Sequence, residues 1–126
     1  AITRRQDAPD TRIPAAPTPS KLTKKELRRL RSEIITEKSR VLKPVEDIIA
    51  DAEQIIETNE ALLEQLNQEM VDASQAGDGK RIGELSQKIR TCQEIIETRF
   101  IEMESADEKR QRLEKKFAKQ LAALDG

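Results

Sequence analysis

The 126-residue chain is highly charged and nearly free of aromatic side chains. Asp, Glu, Lys and Arg make up 37% of it and aromatic residues 2%, with no Trp, Tyr or His. So few bulky apolar groups argue against a broad globular core and suit a seam between helices. The absence of His removes the commonest acid–base and metal-binding side chain. We therefore expect no enzyme activity, no catalytic residue, no metal and no cofactor within this chain.

The absence of a possible disulfide, a membrane span and a signal peptide from the sequence predicts the localisation. The single cysteine, Cys92, cannot form an intramolecular disulfide, so nothing indicates an oxidising compartment. No apolar run approaches the roughly 18 residues of a membrane span. No signal-peptide pattern opens the chain. We expect a soluble, cytoplasmic protein in which Cys92, on a helical apolar row, is packed and inert.

Residues 1–21 predict a flexible linker. They contain four of the five prolines and few apolar residues. Proline at this density prevents helix formation and favours extended, solvated chain. A linker in this place suggests that a further domain was attached before it, with an ordinary disordered terminus as the alternative.

The next segment predicts one long helix. Thr23-Lys-Lys-Glu26 has the form of a capping box, which marks a helix start. Apolar residues then recur mostly at the three-and-four steps of a coiled coil. They are Leu27, Leu30, Ile34, Val41, Val45, Ile48, Ala52, Ile55, Leu62 and Leu66. A second row, at intervals of seven, comprises Leu42, Ile49, Ile56, Leu63 and Met70. This stripe is wider than a two-helix seam needs, so it covers a bulky partner face or meets a third helix or a second copy.

Two residues interrupt this pattern. Pro44 removes a helical hydrogen bond and clashes with the preceding turn, so we expect a kink or a restart at residues 42–44. Asn59 lies among Ile and Leu. It is either a buried residue that fixes the register of the helices or a partly exposed residue at a loose layer.

A turn separates this helix from a second one. Gly77 suits the left-handed conformation that ends a helix, and Asp78 suits the cap of the next. The second apolar row is interrupted by Arg99 and Arg110 and comprises Ile82, Leu85, Ile89, Cys92, Ile96, Met103, Ala106, Leu113, Phe117 and Leu124. We predict an all-α fold in which residues 22–126 form a long antiparallel two-helix coiled-coil hairpin, with helices over 23–75 and 80–124 and a turn at 76–79.

Folding at the turn predicts which residues meet. Ile89 should face Leu66, and Arg110 should contact Glu46 or Asp47. Basic residues from the start of the first helix and the end of the second should collect at one end, because the helices are antiparallel. They are Lys24, Lys25, Arg28, Arg29, Arg31, Lys109, Arg110, Arg112, Lys115, Lys116 and Lys119. Such a group can neutralise nucleic-acid phosphates with little sequence preference. The alternative is a solvated face that carries Glu–Lys pairs.

The order of these motifs resembles a known family. A Pro-rich linker precedes Lys-Lys-Glu-Leu-Arg-Arg-Leu30, then Leu42-Lys-Pro-Val-Glu46, a Gly-Asp-Gly79 turn and Ile-Ile-Glu-Thr-Arg-Phe100. Over residues 22–124 this is similar to the C-terminal coiled-coil domain of the ABC-F proteins, which are soluble ATP-binding-cassette ATPases. Phe100 stands where that domain commonly has Trp. The resemblance implies two upstream ATP-binding domains as partners, ATP as the cofactor of the parent protein, and a role in translation on the ribosome or on DNA.

The residues leave three functions open. The first is a nucleic-acid-contacting arm for ribosomal RNA or duplex DNA. The second is an assembly coiled coil that docks a protein partner or forms a homodimer through Leu42, Ile49, Ile56, Leu63 and Met70. The third is the RNA-binding arm of a synthetase, which is also a long antiparallel hairpin.

Overall fold

The computed structural model describes residues 22–125, and within them the chain is an antiparallel hairpin of two helices without a strand. Helix α1 spans Lys24–Ala76 and helix α2 spans Gly79–Asp125. The predicted all-α two-helix hairpin is therefore confirmed. The linker predicted for residues 1–21 lies outside the described residues.

The start of α1 is fixed by the predicted capping box. The backbone N–H of Glu26 donates to Thr23 Oγ1 at 3.1 Å, and the backbone N–H of Thr23 donates to Glu26 Oε1 at 3.0 Å. These two bonds satisfy amides that have no partner within the helix. The bond from the Thr23 backbone N–H, and after it the Thr23 hydroxyl, hold the pKa of Glu26 below its ordinary value, because both stabilise the charged carboxylate.

The turn consists of Gly77 and Asp78, which end α1 and begin α2. Gly77 has φ of 69°, the left-handed conformation that favours glycine. Its N–H donates to the carbonyl of Ser74 at 3.2 Å, while the N–H of Asp78 donates to that of Ala73 at 3.0 Å. This pair of bonds is a Schellman motif. Asp78 Oδ1 then accepts from the N–H of Arg81 at 3.1 Å and caps α2. Both predicted turn roles are confirmed.

Helix α1 continues through Pro44 without a break, so the restart expected at residues 42–44 is not found. Proline has no N–H to donate to the carbonyl of Arg40, and such a loss inside a helix typically costs about 3 kcal/mol. The ring of Pro44 faces solvent, while its neighbours Leu42 and Val45 are buried. Burial of these neighbours offsets the cost and keeps the helix continuous.

The chain divides into two compact units, each with a segment of both helices. The end unit joins the described residues up to Arg40 to those from Glu114 onward, and the turn unit is Val41–Leu113. In the end unit Phe117 is almost fully buried, and Leu27, Leu30 and Ile34 are half-buried.

The core of the turn unit follows heptad spacing on both helices. Buried here are Leu42, Val45, Ala52, Ile56, Leu66 and Ala73 of α1 with Leu85, Cys92 and Ala106 of α2. A continuous cluster joins Leu66, Ala73, Leu85 and Cys92, with Ile89 packed against it. Ile89 thus packs against the cluster that contains Leu66, in agreement with the predicted register, and the predicted burial of Cys92 is confirmed.

In the turn unit Val45, Ala52 and Leu66 of the first predicted row are buried, but other members of that row lie outside the seam. Ile48 and Leu62, assigned to the seam, are each 42% exposed. The second row lies in the seam instead: Leu42 and Ile56 are buried, and Ile49, Leu63 and Met70 are half-buried. The burial of Leu42 and Ile56 leaves this row little exposed apolar surface, and the homodimer expected through it stays a prediction.

Asn59 occupies a seam position without bridging the helices. It is half-buried, and its Nδ2 donates to the backbone carbonyl of Ile55 one turn earlier, at 2.8 Å. Of the two interpretations of Asn59, the partly exposed residue at a loose layer is the one found.

Candidate nucleic-acid interface

The predicted basic residues separate between the two units. The end unit contains Lys24, Lys25, Arg28, Arg29, Arg31, Lys115, Lys116 and Lys119, all of them exposed. Lys109, Arg110 and Arg112 belong to the turn unit. The candidate interface is therefore best described as the eight cations of the end unit, and we call this set the basic cluster.

The charge of the end unit is strongly positive. Its described residues, 22–40 and 114–125, include ten Lys or Arg and five Asp or Glu, a net charge of +5. The turn unit, 41–113, has nine Lys or Arg and seventeen Asp or Glu, a net charge of −8. A phosphate is thus attracted by one unit and repelled by the other.

Few members of the basic cluster are neutralised within the protein. Arg31 forms an ion pair with Asp125. Lys116 lies 5.5 Å from the ring centroid of Phe117, its neighbour in sequence. Among the described residues, no carboxylate lies within ion-pair distance of the seven members other than Arg31. Their charges remain available to an anion from outside.

Two further cations of the end unit were not predicted as site residues. Arg40 Nε donates to Glu37 Oε1 at 3.0 Å. This bond, with the nearby charges of Arg40 and Lys116, holds the pKa of Glu37 below its ordinary value. Lys38 is half-buried among the apolar positions of α1. Heptad spacing could have predicted the partial burial of Lys38, because this residue lies seven residues before the seam residue Val45.

Arg110 makes a local contact rather than the predicted one across the seam. Its Nε donates to Asp107 Oδ1 at 3.0 Å, one turn earlier on α2. Asp47 pairs with Lys43, at 3.5 Å between Nζ and Oδ1. Glu46 lines the same surface groove as Arg110, so the predicted register is right although neither predicted ion pair is present.

The two flanks of the seam in the turn unit differ in charge. The acidic flank has Glu46, Glu53, Glu57, Glu60, Glu104 and Asp107 around the half-buried Ile49 and Met103 and the 43% exposed Phe100. The apolar flank consists of Ile48, Ile55 and Leu62 of α1 with Ile95 of α2; Leu62 and Ile95 line one groove.

Besides the basic cluster and the two flanks, the described residues offer no metal site and no membrane span. The described residues contain no group of three Cys, Asp or Glu arranged to hold a metal ion. None of their helices is long and apolar enough to cross a bilayer. No family model, no curated protein and no solved structure matches the chain. The resemblance to the ABC-F C-terminal domain therefore stays a prediction that rests on the motifs of residues 22–124.

Proposed function

We propose that this hairpin is a non-catalytic arm that binds nucleic-acid phosphates through the basic cluster. The observation that carries the proposal is the set of seven exposed cations without an ion pair in a unit whose described residues have a net charge of +5. On helices, these cations are presented at fixed spacing, which lowers the entropy lost when several phosphates are bound together.

The same residues favour contact with the backbone over base recognition. Phe117, the aromatic side chain of the end unit, is 2% exposed and offers no surface for stacking. Single-strand binding normally requires such stacking platforms. The basic cluster therefore suits duplex DNA or structured ribosomal RNA, whose phosphates are ordered, with affinity that depends strongly on salt and weakly on sequence.

The setting we propose is a cytoplasmic ABC-F-like ATPase that acts in translation or on DNA. The support is the resemblance of residues 22–124 together with the linker-like composition of residues 1–21. In that setting the upstream ATP-binding domains would hydrolyse ATP, and the hairpin would supply an anionic-surface contact at the end of the linker.

Binding to labelled duplex DNA and to structured ribosomal RNA across a salt series tests the proposal. The test variant replaces Lys115, Lys116 and Lys119 with Gln. The matched control replaces Lys80, Lys88 and Arg90 with Gln. These three are exposed cations of the turn unit, so their replacement removes the same amount of charge. We expect the test variant to bind more weakly than the control, with a salt slope shallower by about 3.

Extending the replacement to Lys24, Lys25, Arg28 and Arg29 should abolish binding, while far-ultraviolet circular dichroism should report unchanged helix. Equal losses in the test variant and the control would refute the basic cluster as the site. Absence of binding to both nucleic acids at low salt would refute the function itself.

An assembly module is the second candidate function. The observation that favours it is the apolar flank, because Ile48 and Leu62 expose apolar surface at positions seven residues either side of Ile55. The flank belongs to the turn unit and the basic cluster to the end unit, so the two functions would use different residues.

A further inference from the structure

One apolar heptad row on α1 continues past the positions at which its side chains are half-buried. Apolar residues recur every seven positions at Leu27, Ile34, Val41, Ile48, Ile55 and Leu62. The first three are half-buried in their units, whereas Ile48 and Leu62 are 42% exposed. A repeat of seven keeps side chains aligned only along a seam with another helix, because an isolated straight helix drifts by about 20° per heptad. The row therefore points to a helical partner over residues 48–62.

We propose that the apolar flank binds a second copy of this chain, with the two α1 helices antiparallel and a two-fold axis at Ile55. Ile48 and Leu62 are each seven residues from Ile55. The axis thus places Ile48 of each copy against Leu62 of the other, and Ile55 against its own counterpart. Such an isologous contact uses the same patch twice and closes as a dimer.

The distribution of charge favours a copy at this flank and not at the other. A dimer formed through two acidic flanks would bring many carboxylates together. Those without an ion pair among the described residues are Glu46, Glu53, Glu57, Glu60 and Glu104. This repulsion disfavours pairing there.

The α1 positions one helical turn beyond the apolar row are mostly uncharged. One helical turn beyond each member, α1 has Asp51, Thr58 and Gln65. The groove near Leu62 has Glu84 and Lys88, which are of opposite sign, and Glu69, which is paired with Arg81. Charges of both signs occur in this groove, so two copies of the flank would not repel each other as two acidic flanks would.

The first experiment measures molar mass by sedimentation equilibrium of the full chain from low to high micromolar concentration. We expect reversible association from 14.3 kDa to twice that mass. The variant Ile48→Glu/Leu62→Glu should raise the dimer Kd by at least about tenfold. The matched control Val71→Glu/Ile101→Glu changes two similarly exposed apolar residues outside the flank and should leave Kd within about threefold.

A second variant tests the antiparallel geometry. Ile48→Lys/Leu62→Glu brings opposite charges together only if residue 48 of one copy meets residue 62 of the other. We expect it to dimerise more tightly than the double glutamate variant. A parallel pairing would instead place like charges together and abolish association.

Three results would overturn the proposal. One is a single-chain mass at every concentration, and another is a dimer that both double variants affect equally. The third is a double glutamate variant that dimerises like the unaltered chain, which would assign the contact to another surface. Unchanged helix content in circular dichroism separates each of these from loss of the fold.

Discussion

Replacing matched leucines by alanine provides a direct measure of the seam. Leu85 is fully buried in the turn unit, whereas Leu62 is 42% exposed. A Leu→Ala change at a buried site loses transfer free energy and leaves a cavity, so Leu85→Ala should lower the free energy of unfolding by about 3 kcal/mol. Leu62 loses only part of a buried side chain's contribution, so Leu62→Ala should cost about 1 kcal/mol or less.

The difference of about 2 kcal/mol is large for a domain whose total stability is roughly 5–15 kcal/mol. Urea unfolding followed by circular dichroism measures it, at protein concentrations where sedimentation shows a single chain. The slope of each transition should be unchanged, so that the midpoints report stability. Equal costs for the two variants would mean that Leu62 shares the seam with Leu85. The assignment of the α1 rows would then be refuted.

Three further perturbations test local features. Gly77→Ala places a β-carbon on a left-handed residue and should destabilise the fold by about 1 kcal/mol. Gly83→Ala lies inside α2 with open space around it and should stabilise the fold by up to about 1 kcal/mol. Thermal unfolding compares the two variants. Because the folded pKa of Glu26 is lowered, its contribution is present at neutral pH and lost as the pH falls below about 4. Hydrogen exchange in the first turn of α1, corrected for intrinsic rate, should lose protection over that range, and Thr23→Ala should remove the protection at neutral pH as well. Asp125→Asn breaks the exposed pair with Arg31 and should change stability by less than about 1 kcal/mol; a larger loss would indicate that this pair anchors the end of α2.

The sequence predicts α2 better than α1, and the reason is the number of apolar rows. On α2 one row with three-and-four steps leads from Ile82 to Phe117 and is widened only at Ile95, Phe100 and Leu121, so the seam has one main solution. On α1 three rows repeat every seven residues, beginning at Leu27, Leu42 and Val45. Periodicity identifies all three as apolar faces, but it cannot state which two face α2 at a given level. That choice depends on packing in three dimensions.

The row through Val45, Ala52 and Leu66 is buried in the turn unit, where the row of Leu42 and Ile56 completes the seam. In the end unit the position one heptad before Leu42 is Ile35, which is 48% exposed, and Leu27 and Ile34 are half-buried instead. The heptad row that completes the seam is therefore not the same row in the two units. Small drifts between a 3.6-residue helix and a seven-residue repeat produce such an exchange, and no single heptad assignment represents it.

Ion pairs are predicted less well than apolar contacts for a similar reason. Correct register brings Glu46 and Arg110 to one groove, yet Arg110 bonds Asp107 on its own helix. A pair three residues apart is brought together by the helix itself, so little additional order is required. An exposed pair across the seam must order two long side chains for a gain of about 1 kcal/mol or less. The local pair therefore prevails.

The two proposed partners would be bound by different forces. Phosphates are repelled from the acidic flank, whose carboxylates surround Phe100, and are drawn to the basic cluster, where only Arg31 is paired. The apolar flank around Ile55 lacks a dense field of either sign and gains most from removing Ile48 and Leu62 from water. Salt should therefore weaken nucleic-acid binding steeply and leave dimerisation nearly unchanged. A steep salt dependence of both would require one surface to serve both partners, in conflict with this division.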